Sequence, residues 1–102
     1  MPGMFLEPET TFSVSLEKEG KAMWKVVEGG AIHLMTLRGR EHAKLMKAIR
    51  NEDIDAQYDI LKGSISKGIT DKELETMHAN AVMVLLFEVA KRSHIAETEA
   101  GN

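Results

Sequence analysis

The chain has 102 residues, 43% of them hydrophobic and 28% charged, with a formal net charge of -3 and no cysteine. That length supports one domain able to bury roughly two-thirds of its surface, and the composition excludes a disordered or collagen-like chain. The acidic balance argues against broad attraction to a phosphate backbone, and without cysteine there are no disulfides or thiolate metal sites, which fits a reducing cytosol.

Residues 1 to 10 hold both prolines and little periodicity, which predicts a flexible arm. Their order does not match a basic region followed by an apolar secretion signal. From Thr11 onward Phe12, Val14 and Leu16 alternate with polar residues, the period-two pattern of a half-buried strand. After the turn Lys18-Glu19-Gly20, Ala22, Trp24 and Val26 alternate in a second strand antiparallel to the first. Gly29-Gly30 marks a turn or a bulge, and Ile32 and Leu34 continue into a third strand.

At Thr36 the period changes to about 3.6. Thr36 is the expected N-cap of a helix with Leu37, Glu41, Leu45, Ala48 and Ile49 along one side, ending near Arg50-Asn51. Gly39 near its start is a weak spot of about 1 kcal/mol against alanine. Asn51 or Asp53 can cap a second helix, with Ile54, Tyr58, Leu61 and Ile65 on one stripe and a stop at Lys67-Gly68. Thr70 and Glu73 form a capping box for a third, long helix running to Ile95, in which Leu74, Met77, Ala81, Leu85 and Val89 recur at helical spacing. Val84 and Phe87 add apolar surface on another side, so this rod is either central to the core or hides a face under a partner. Its longest apolar run, interrupted by Glu88, falls short of the roughly 20 residues that cross a bilayer. Residues 96 to 102 carry no stripe and are expected to fray. The fold class is α+β: an antiparallel hairpin or three-stranded meander, then three helices with the last long and central. The ordered domain is residues 11–95.

Candidate chemistry is sparse. Glu75 and His78 form one E-x-x-H, where di-iron bundles need two copies and further carboxylates, so no metal or cofactor is expected. Asp53, Asp55 and Asp59 lack the glycine and terminal glutamate of a calcium loop, and the glycines build no phosphate-binding loop. No nucleophile stands near a base, and the expectation is a protein that is not an enzyme. Arg38, Arg40, Lys44, Lys47 and Arg50 cluster on and around the first helix; a solvated face explains them better than a nucleic-acid site, since Glu41 interrupts them and no aromatics offer base stacking. Trp24 reads as a core anchor or, as the minority reading, a partner hot spot.

The order of Phe12 to Leu16, Trp24 to Val27, Met35-Thr36-Leu37-Arg38-Gly39-Arg40-Glu41 and Leu74 to Ser93 resembles the tail assembly chaperones of long-tailed bacteriophages, including baseplate-hub assembly chaperone-like proteins of contractile-tailed phages. The likeness covers about residues 12 to 93 and rests on pattern and order; Gly39 departs from it, standing where that family keeps a good helix former. It implies a chaperone of the host cytoplasm that binds and solubilises the tape-measure protein and helps recruit tail-tube subunits. Homo-oligomerisation is expected, with no nucleic acid and no membrane as partner. The expected client contacts are Met83, Val84 and Phe87, with Leu45 and Met46 as a secondary patch. The alternatives are a small structural tail or baseplate protein of the virion, and a small nucleic-acid-binding regulator using the Arg38 to Arg50 cluster.

Overall fold

The alternating N-terminal segments form a sheet, and a computed structural model of the chain describes residues 11–21 and 23–101. Strands β1 (Thr11–Lys18), β2 (Trp24–Glu28) and β3 (Ile32–Met35) precede α1 (Gly39–Arg50) and α2 (Ile54–Ser64), followed by a short strand β4 (Ile65–Lys67), α3 (Asp71–Thr76) and α4 (Ala79–Gly101). The class is α+β, with a four-stranded antiparallel sheet and, among the described residues, four helices where three were expected. The arm at residues 1–10 and Ala22 of the second strand lie outside the described residues.

The strand order is β2-β1-β3-β4, so the first strand is interior and the three N-terminal strands are not a meander. Val14 of β1 faces Glu28 on one side and Ile32 on the other. Since β2 and β3 both run antiparallel to β1, they are parallel to each other. Residues 29–31 must therefore carry the chain across two inter-strand gaps, about 10 Å, over one face of β1. Gly30 makes that crossing possible: a Cβ there would lie 2.6 Å from the Val14 carbonyl oxygen and 2.8 Å from Ser15 Cβ. The link passes on the Ser15 side, opposite the buried Val14 side chain. Gly29-Gly30 is thus neither a hairpin turn nor a bulge.

On the other face Phe12, Val14, Ile32 and Leu34 meet Leu45, Leu61 and Leu74 from the first three helices and Leu85, Leu86 and Val89 from α4. All but Phe12 and Ile32 are at most 1% exposed, which makes this one continuous core. The helix starts differ from expectation. The first helical residue of α1 is Gly39, and its N-cap is Arg38, whose side chain does not cap the helix. Thr36 is buried before the helix, and the adjacent Leu37 N–H donates instead to Ser93 Oγ of α4 at 2.8 Å. At the first helical position glycine escapes most of the interior helix penalty. Asp53 caps α2 as expected, accepting from Ala56 N–H at 3.1 Å.

The stripe that was to carry α2 through Ile65 stops at Ser64, whose hydroxyl donates to the Met35 carbonyl, and Ile65 to Lys67 pair with β3. The Thr70–Glu73 capping box forms, but it starts only the six-residue α3. The expected single rod is broken at Met77–His78: the His78 carbonyl and Nδ1 then accept from the first turn of α4. α4 runs on past Ile95 as helix to Gly101, where an end and a fraying tail were expected.

Candidate partner-binding surfaces

α4 is buried through Ala81, Leu85 and Val89 on one side and Val82 and Leu86 on another, so its outer side is the arc carrying Asn80, Val84, Phe87 and Lys91. Phe87 stands 51% exposed on this arc, an aromatic ring half in water. Val84 is half-buried beside it in the helical lattice, and Met83 is half-buried against the core. The break at His78 lies before all three, so they remain on one rigid helix.

Ile54 was expected on the buried stripe of α2 but is 53% exposed. It lies with Tyr58 and Met83 around a small apolar cleft of about 100 Å³ between α2 and α4. The apolar surface around Met83 therefore extends onto α2. A first-turn position on α2, beyond the last residues covered by the core, is the signal that could have shown this.

The secondary patch is corrected. Leu45 is fully buried in the core and cannot meet a partner. Met46 is half-buried and packs on that core from the side. Leu45 sits between His42 and Ala48 on the inward side of α1, a side the sequence centred too near Glu41, which is exposed.

Ion pairs fix the flank of the α4 surface. Glu88 accepts from Arg92 Nε at 2.6 Å and lies 3.3 Å from Lys91 Nζ. Burial alone would raise the Glu88 carboxyl, but the hydrogen bonds from Arg92 and Lys91 outweigh it and hold the group below the usual glutamate range. Arg92 also bonds Glu28 of β2, and these bonds, Glu28 first, raise its already high pKa. Lys91 and Glu88 thus set fixed charges next to Phe87.

The remaining candidates separate. Glu75 lies on α3, 3.6 Å from Lys62 Nζ, whereas His78 sits in the break and bonds the Asn80 N–H, so the E-x-x-H does not share one helix. Among the described residues no three His, Cys, Asp or Glu side chains come together as metal ligands. Arg38, Arg40, Lys44, Lys47 and Arg50 are all exposed, with Lys44 3.5 Å from Glu41. Trp24 is half-buried on β2, and its indole N–H is covered with no hydrogen-bond partner among the described residues.

Comparison of the chain with known protein families, curated proteins and solved structures finds no match. Function therefore rests on the chemistry of these surfaces and on the resemblance noted above. No helix among the described residues is long and apolar enough to cross a membrane. The surface with the clearest binding chemistry is the outer face of α4, where an exposed aromatic ring stands between aliphatic neighbours and fixed charges.

Proposed function

We propose that the protein is a non-enzymatic tail assembly chaperone of a long-tailed bacteriophage, which holds helical segments of the tape-measure protein soluble in the host cytoplasm and helps recruit tail-tube subunits. The observation that carries the reading is the half-exposed Phe87 on α4, with Val84 and Met83 beside it. An aromatic ring at that exposure is a poor core residue and a good anchor for an apolar stripe of a partner helix. The order of elements from Phe12 to Ser93 supports the same reading through its resemblance to that family. Homo-oligomerisation through this face, before a client takes it, is part of the proposal.

Affinity capture from cells expressing the protein with its neighbouring genes tests it. The tape-measure protein is expected to co-purify, and Phe87→Ser combined with Val84→Ser to remove it while circular dichroism stays the same. Unchanged capture by the double variant would discard this face as the contact. Mass spectrometry of mature particles separates the alternative of a structural tail or baseplate protein: a chaperone is absent from them, and its presence there would favour that alternative.

A further inference from the structure

Outside the core, the seam between α1 and α2 is an open groove of about 520 Å³. Its floor is Leu37, Ala48, Ala56 and Ile60, and at Gly63 a side chain would meet nothing within 4 Å. Its rims are charged with opposite signs: Lys44 and Lys47 stand on α1, and Asp59 stands on α2. Lys44 is bonded to Glu41 across an exposed 3.5 Å, and Asp53 is committed to capping α2. Lys47 and Asp59 make no ion pair with any described residue, so each rim keeps a charge facing the groove.

The walls select the kind of occupant. Both are helices whose interior backbone groups are bonded internally, so they offer no edge for an extended peptide. A segment lying on the apolar floor must satisfy its own backbone, which a helix does. From Glu41 to Asn51 and from Asp53 to Gly63 each wall runs about 15 Å at 1.5 Å per residue, the length of about three helical turns. Glu41, Asp53 and Asp59 in the lining repel a phosphate backbone, and the floor has no aromatic ring for a base.

We propose that this groove takes one three-turn amphipathic helix of a partner protein. Its apolar residues fall at i, i+3 or i+4 and i+7 against the floor, acidic residues run along the flank facing Lys44 and Lys47, and a basic residue points to Asp59. This site is separate from the α4 face and does not depend on the tail-assembly reading.

Three labelled two-heptad helical peptides with the same leucine face test it by fluorescence anisotropy against the full chain: one with glutamates on one flank and lysines on the other, one with glutamates on both, one with lysines on both. The mixed peptide should bind about fivefold or more tightly than either single-sign peptide, because each of those meets one repulsive rim. Asp59→Lys should transfer the preference to the all-glutamate peptide. Gly63→Trp should fill the groove and abolish binding, whereas Gly63→Ala keeps it, with circular dichroism checking that both variants fold. No binding by any peptide, equal binding by all three, or binding by Gly63→Trp would overturn the proposal. Loss of binding in Phe87→Ser would also overturn it by moving the peptide to α4, a result that leaves the chaperone reading standing.

Discussion

The guanidinium carbon of Arg92 lies 4.5 Å from the centre of the Phe12 ring, so a cation on α4 covers an aromatic face on the interior strand β1. The same guanidinium bonds Glu88 on its own helix and Glu28 on β2, which ties α4 to two strands at once. Replacing Arg92 with alanine removes this clamp and leaves the largely covered Glu88 with Lys91 alone. The expected cost is about 1–2 kcal/mol, read as a melting temperature lower by about 5–10 °C in a domain of this size. An unchanged melting curve would mean that the clamp contributes nothing.

Acid should weaken the fold through Glu88. Its carboxyl titrates below the usual glutamate range in the native state, because bonds from Arg92 and Lys91 overcome the opposing effect of burial. The native state therefore holds the proton less tightly than the unfolded chain does. This contribution is fully present above the ordinary glutamate pKa and is lost as pH falls through the lower native value. Glu73, held low chiefly by the Thr70 backbone N–H, acts in the same direction. Urea unfolding across the acid range should give a shallower loss of stability in Glu88→Gln than in the parent chain; parallel curves would refute this.

Ser93 is fully buried and ties α4 to the segment that leads from β3 into α1: its Oγ accepts from Leu37 N–H at 2.8 Å and donates to the Val89 carbonyl of its own helix at 2.6 Å. Ser93→Ala strands the Leu37 N–H, and a buried donor left without its acceptor costs about 1–3 kcal/mol. The urea midpoint should fall with the slope unchanged. A shift within error would show that water replaces the hydroxyl.

Two glycines should respond to alanine with opposite signs. At Gly30 the new methyl would collide with the Val14 carbonyl that the chain crosses, a backbone contact that cannot swing away, so a loss of about 2 kcal/mol or more is expected. At Gly63, inside α2 and in open space, alanine should stabilise by about 0.5–1 kcal/mol. Thermal melts of the two variants check the pair, and a Gly30→Ala protein as stable as its parent would refute the crossing geometry.

The strands were legible where alternation was long enough: Phe12, Val14, Ile32 and Leu34 were all placed inward by period alone, and all are buried. β4 was not, because three residues cannot display a period and Ile65 extended the helical spacing of Ile54, Tyr58 and Leu61. The break before α4 was hidden because Met77 and His78 are ordinary helix residues, with no proline or glycine to mark a stop; an imidazole caps where serine or asparagine is usual. The interior position of β1 depends on which edge each later strand takes, and local pattern carries no such information.

The candidate surfaces divide in the same way. The exposure of Phe87 is legible because a large apolar residue off the main stripe has few places to hide. Leu45 was misplaced because a small angular error around α1 moves a residue from surface to core. The groove at Ala48, Ala56 and Gly63 was invisible, since it is made by side chains that are small, and a search for bulky apolar residues passes over them.

Arg92 reaches back to cover Phe12, a strand residue synthesised about 80 positions earlier, more than three-quarters of the chain length before it. On a translating ribosome, β1 and β2 would wait with one greasy side unprotected until α4 has emerged. The step that locks this architecture is therefore late and non-local, and shortening the final helix should harm the earliest strand first.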